Sequence, residues 1–310
     1  MLNYSMNIVI VFFIYVLMIF MIGSLLGMPI INLVGGNELI TNESIIKYTS
    51  FLLAIGLIYP LLRILGISDW RRIGYVDNGS DSIKKLIQCF FIGIACAAPI
   101  IIMLFVMNIR YLDLHMDRIL AEFPLALVSA IIGSFLIGFF EETFFRGILI
   151  NRPYKESLTN VIFLSSIFYA SMHFFSPALP ENTLMGLNDG FSAYLTALPN
   201  LIPNSTSIDD YACLFVLGVL FSLIRVRYKS IVTTIGIHAG LVFSIKMLKH
   251  FTDQTPWPYN KYSYLVGDYD HVLGYMSLIW LTLLCIIFYY SHALKLQQRK
   301  RKFSAVGKII

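Results

Sequence analysis

Apolar runs long enough to cross a bilayer recur along this chain, separated mostly by short polar gaps. In hydrocarbon every backbone N–H and C=O must be bonded internally, so an apolar run of about 20 residues can only be a helix unless it belongs to a closed barrel. Eight spans are predicted, at about Asn7–Met28, Tyr48–Leu65, Leu86–Met107, Pro124–Leu149, Asn160–Phe175, Tyr211–Leu223, Ser230–Leu248 and His271–His292. The expected fold is all-α: a polytopic transmembrane bundle of about eight spans around a central intramembrane cavity. Pro124 is placed in the first turn of the fourth span, where its missing N–H costs nothing. Between the fifth and sixth spans, residues 176–210 are rich in Pro, Asn and Gly, and Phe191–Leu201 reads as an interfacial or re-entrant helix. Composition agrees with a membrane protein. The chain is 57% hydrophobic and 13% charged, against about 25% charged residues in a soluble domain.

The net charge of +5 does not point to nucleic acid, because the basic residues sit where membrane orientation places them. One side collects Arg63, Arg71, Arg72, Lys84 and Lys85, then Arg152 and Lys155, then Arg225, Arg227 and Lys229, then a tail from Lys295 to Lys308. The other side holds only Lys47, Arg110, Arg118, Lys246, Lys249 and Lys261. That asymmetry orients eight spans with both termini cytoplasmic. The expected location is a bacterial inner (plasma) membrane, as a multi-pass protein with a retained first span. Cys89, Cys96, Cys213 and Cys285 all lie in apolar runs without C-x-x-C spacing, which reads as buried thiols.

Charges inside one span mark the candidate site. Glu141, Glu142 and Arg146 lie within six residues in the fourth run. A charge near mid-bilayer costs about 2.5–3.5 kcal/mol on insertion scales, so such residues face a partner or a polar cavity. Glu142 and Arg146 are four apart and share a helix face. Glu141 is turned away by about 100°, is left without that partner, and becomes a candidate general base. Two histidines follow. His173 closes the fifth span, and a hairpin turning near 151–156 returns it to the depth of Glu141. His238 lies nine residues past Lys229, roughly 13 Å into the membrane at helical rise. A carboxylate and two imidazoles at one depth suit hydrolysis or a metal ion.

The order Glu141-Glu142-x-x-x-Arg146, then Tyr169-x-x-x-His173, then His238 in a later span resembles the CPBP family. These are the CAAX proteases and bacteriocin-processing or immunity proteins, which include type II CAAX prenyl endopeptidases. The resemblance covers about residues 121–250 as a catalytic core, with 1–120 as N-terminal spans and 251–310 as a last span and basic tail. It implies a glutamate-type intramembrane endopeptidase that cuts a membrane-associated, in some cases prenylated, protein or peptide. By the same resemblance Glu141 activates water, His173 orients it and His238 stabilises the oxyanion. Glu142, Arg146 and Tyr169 support the site, and no cofactor is required. The family often has Phe at the position of Tyr169. Many members also carry Asn four residues after the last His, where this chain has Val242, a side chain that cannot donate. Tyr169, Ser171 and Tyr228 are candidate replacements for that donor.

Other readings use the same residues. Glu and His side chains suit zinc, although H-E-x-x-H is missing. A non-catalytic scaffold or immunity protein could use the same fold. A transporter would also bury charges, but no repeat or broken-helix pair is visible in the sequence. The partners expected are the bilayer and a membrane-associated substrate. Nothing in the sequence sets the substrate's identity or the oligomeric state.

Overall fold

A computed structural model describes residues 4–34, 41–67, 69–77, 79–113, 115–150, 158–177, 179, 186–255 and 260–306. The turn expected near 151–156 lies outside the described residues, as do the side chains of the basic tail. Ten α-helices follow in order: α1 (Tyr4–Val34), α2 (Asn42–Gly56), α3 (Ile58–Ile64), α4 (Gly79–Val106), α5 (Met116–Glu142), α6 (Leu158–His173), α7 (Leu187–Ala197), α8 (Ile208–Tyr228), α9 (Ile231–Phe251) and α10 (Tyr275–Val306).

Each predicted span contains a helix, although the fifth ends at His173 and the last begins at Tyr275 and not at His271. By length and composition α1, α4, the helix through α5, α8 and α9 can cross a membrane, and α2 with α3 makes a sixth candidate bent by 50°. Pro60 explains the bend. It has no N–H for the Gly56 carbonyl one turn back, and its ring crowds that carbonyl. α6, at 16 residues, and the apolar part of α10, Tyr275–Ser291, are shorter, so the figure of eight is approximate. Within 176–210, α7 and a 3₁₀ turn at Leu198–Leu201 occupy the place of the expected short helix.

Pro124 corrects an expectation. It is not in a first turn but nine residues into α5, which begins at Met116. Residues 116–123 extend the helix ahead of the apolar run. A proline here removes the bond to the Leu120 carbonyl, a loss that membrane helices tolerate when neighbours or water satisfy the freed group. In α4, Pro99 leaves the Ala95 carbonyl without its helical partner, and the Trp280 indole N–H donates to the next carbonyl, that of Cys96, at 2.9 Å.

α9 is the most buried span and packs against α4, α5 and α8; α8 in turn packs against α6 and α10, and α1 against α2 and α7. α4 and α9 touch backbone to backbone. A Cβ on Gly240 would lie 2.1 Å from the Phe90 carbonyl oxygen, and one on Gly93 would lie 2.2 Å from that of Ile237. Gly236 and Gly240 make the small-x-x-x-small spacing that lets helices approach this closely. The pair is fastened at both ends. At the start, Asp77 accepts hydrogen bonds from Lys85 at the head of α4 and from Ser230 before α9. At the far end, strand β1 (Arg110–Leu112) pairs antiparallel with β2 (Thr252–Gln254), Tyr111 opposite Asp253.

Candidate active site

Glu141 and Glu142 are the last α-helical residues of α5. Thr143–Ile148 continue as a π-helical turn. Two hydroxyls stabilise this widened turn. Thr143 donates back to the Phe139 carbonyl and shares a hydrogen bond with the Tyr75 hydroxyl at 2.7 Å. Ser165 of α6 donates to the Phe145 carbonyl at 3.0 Å. π-turns commonly occur at functional sites, and this one follows directly on the two carboxylates.

Glu142 and Arg146 are both wholly buried and pair as the spacing predicts, Nη1 to Oε1 at 3.0 Å. The guanidinium also lies 4.1 Å from the centre of the Tyr169 ring, 5.2 Å from that of Phe221 and 5.7 Å from that of Phe145. Such contacts help hold a desolvated cation. Glu142 does more than the sequence suggested, because its Oε1 also accepts from Nδ1 of His238 at 3.0 Å. The His238 ring stacks on Phe221, centroids 5.0 Å apart and planes inclined by 24°.

Glu141 stands apart from this pair. Its Oε2 lies 3.7 Å from Nε2 of His173 and 3.8 Å from Nε2 of His238, beyond hydrogen-bonding distance of either. The side chains of Glu141 and His173 are 28% and 15% exposed, so the cluster opens beyond the helix packing. The partners of the rings set their tautomers. His173 Nδ1 faces the Tyr169 carbonyl at 2.8 Å. A carbonyl only accepts, so this nitrogen carries a proton. His238 Nδ1 likewise faces the Glu142 oxygen that accepts from Arg146. In the neutral rings, both Nε2 atoms therefore turn lone pairs toward Glu141.

The structure thus brings Glu141, His173 and His238 together, with Glu142, Arg146 and Tyr169 behind them. The proposed replacement donors fare differently. Tyr169 is 1% exposed under Arg146. Ser171 shares a hydrogen bond with the Tyr211 hydroxyl at 3.0 Å. Tyr228, 52% exposed, ends α8 beside Phe288, seven residues or roughly 10 Å along the helix from Phe221. Among the described residues no group of three or more His, Cys, Asp or Glu side chains is arranged to hold a metal ion.

Tyr269 is the residue the sequence reading missed. It belongs to the 260–274 segment between α9 and α10, and its ring centroid lies 6.0 Å from that of His173 and 5.4 Å from that of Phe174. Burial of its hydroxyl, followed by the negative charge of Glu141, raises it above the ordinary tyrosine range. One of three tyrosines in a loop segment, 31 residues past His238, carries no local pattern.

Residues 123–244, from α5 to α9, match the family model described as Type II CAAX prenyl endopeptidase Rce1-like. No curated protein and no solved structure matches the chain. The matched segment contains Glu141, Glu142, Arg146, Tyr169, His173 and His238, and over these residues the chain is similar to the CAAX proteases.

Proposed function

We propose that this protein is an intramembrane endopeptidase that hydrolyses a peptide bond in a membrane-associated, prenylated protein or peptide, with Glu141 activating the water. One observation carries the reading. A buried carboxylate oxygen of Glu141, with no hydrogen-bond partner, faces two imidazole Nε2 atoms at 3.7 and 3.8 Å, on a side chain that is 28% exposed.

A water held between these three groups can give one hydrogen to Glu141 and another to an imidazole lone pair. Its own lone pair is then directed at a substrate carbonyl. Glu141 takes the proton as the C–O bond forms. Collapse of the tetrahedral intermediate breaks the C–N bond, and the proton passes to the departing amine. His173, fixed through Nδ1 by the Tyr169 carbonyl, orients the water. His238 donates to the oxyanion only when Nε2 also carries a proton, and Glu142 is then its counter-ion. The positions of the basic residues support an orientation in which this chemistry occurs toward the cytoplasmic leaflet, with both termini cytoplasmic.

The test compares the membrane proteome of cells expressing the parent chain with that of cells expressing Glu141→Ala, followed by cleavage of the accumulated precursor in proteoliposomes. The expected result is an uncleaved precursor in the variant. Undiminished cleavage by Glu141→Ala would overturn the role of Glu141, and a parent that leaves every precursor uncut would overturn the reading in favour of a scaffold. Stoichiometric zinc in the purified parent, lost in a Glu141→Ala/His173→Ala double variant, would replace it with metal-assisted hydrolysis.

A further inference from the structure

We propose that Tyr269 is a further catalytic residue, its phenol O–H donating a hydrogen bond to the oxyanion that forms on the substrate carbonyl. The proposal rests on the peptidase reading above. It begins from a shortage of donors. Tautomer constraints leave both neutral imidazoles presenting lone pairs, not hydrogens, toward Glu141. Val242, one turn beyond His238 on α9, is aliphatic. A tetrahedral intermediate nevertheless needs a hydrogen bond on its oxygen, and losing one such donor typically costs ~10²–10³ in rate.

Two tyrosines stand beside the cluster. Tyr169 is 1% exposed, its ring face covered by Arg146, so it cannot reach a substrate without repacking the core. Tyr269 is 44% exposed, and its ring edge meets His173. A tyrosine phenol is protonated across the physiological range, so it donates whatever the protonation state of the histidines.

The segment that carries it is built to a fixed shape. Asp210, wholly buried at the head of α8, accepts the Tyr269 backbone N–H at 3.0 Å. Gly267 sits so close to that carboxylate that an added Cβ would meet it at 2.2 Å. Asp270 accepts from the N–H groups of Val272 and Leu273 at 2.9 and 2.7 Å, and Gly267 N–H bonds the Leu273 carbonyl at 2.7 Å. A donor on a segment held at so many points is preorganised, as oxyanion stabilisation requires.

The experiment uses the full chain in proteoliposomes and a quenched fluorogenic peptide with a farnesylated cysteine in a C-terminal CAAX sequence. Tyr269→Phe, Tyr169→Phe and Glu141→Gln are compared with the parent for kcat, KM and thermal unfolding. Tyr269→Phe is expected to lower kcat by ~10²–10³-fold, with KM and unfolding temperature essentially unchanged. Glu141→Gln should be inactive. A Tyr269→Phe variant at parental kcat alongside inactive Glu141→Gln overturns the assignment and leaves the peptidase reading standing. A large kcat loss in Tyr169→Phe alone moves the role to that residue. An active Glu141→Gln, or a parent that leaves the probe intact, removes both readings together.

Discussion

The Nδ1 atom of His238 lies 3.0 Å from Oε1 of Glu142, and the same oxygen lies 3.0 Å from Nη1 of Arg146. One buried carboxylate oxygen therefore both holds the cation and sets the tautomer of the imidazole that faces Glu141. The neutral His238 ring is expected to show Nδ1 protonated in 15N NMR of histidine-labelled protein. Glu142→Gln keeps an acceptor but removes the counter-charge, and should lower kcat by roughly 10- to 100-fold, the usual worth of a group that orients a functional imidazole. Unaltered turnover in that variant would mean that His238 acts without Glu142.

The pair itself is a stability element. Removing one partner of a buried ion pair costs roughly 3–5 kcal/mol, because the other charge is left uncompensated. Arg146→Met should thus lower the unfolding temperature sharply. The Glu142→Gln/Arg146→Met double variant should be more stable than the sum of the single changes predicts, by a coupling energy of ~0.5–3 kcal/mol. Thermal unfolding of the four proteins in detergent measures this, and additive effects would show that the two side chains are not coupled.

Gly240→Ala tests the contact between α4 and α9. The obstacle to a Cβ is a backbone carbonyl, that of Phe90 at 2.1 Å, and it cannot swing aside as a side chain would. Overpacking of this kind costs ~1–3 kcal/mol. The displacement would also act two residues from His238, so cleavage should fall together with stability. A variant with parental unfolding and turnover would show that the helices do not approach this closely.

Asp77 gives a pH dependence outside the spans. Burial alone would raise its carboxyl, but the hydrogen bonds from Lys85 and Ser230 and the charge of Lys85 outweigh burial and hold it below its ordinary value of 3.8. A carboxyl lowered on folding contributes stability that is complete above its unfolded value and lost as pH falls through the folded one. Parent and Asp77→Asn should therefore differ by a constant amount at neutral pH and converge below about pH 4, as followed by unfolding temperature against pH. A constant gap down to pH 2 would contradict the assignment.

Much of this arrangement was legible in sequence because its signals are local or periodic. Apolar runs gave the helices, and the spacing of Glu142 and Arg146 gave their pair. Depth counting placed His173 and His238 with Glu141. What escaped depends on contacts distant in sequence. The π-turn at Thr143–Ile148 is supported by hydroxyls of Tyr75 and Ser165, and neither announces it. The reach of Glu142 to His238 spans 96 positions. Pro124 was misplaced because residues 116–123 are less apolar than the run they precede, although they belong to the same helix. Tyr269 reaches the site only because Asp210 and Gly267 shape the segment that bears it.

The glycine contact between α4 and α9 also determines how a substrate can enter. Two helices whose backbones meet at Gly93 and Gly240 have no side chain between them there whose rotation could open a gap, and they are tied at one end by Asp77 and at the other by the β1–β2 ribbon. They behave as one rigid wall with His238 set into it. If the proposed peptidase reading holds, a polypeptide would be admitted elsewhere in the bundle, and entry past α6 or the 260–274 segment, which carry His173 and Tyr269, would couple substrate access to the assembly of the site.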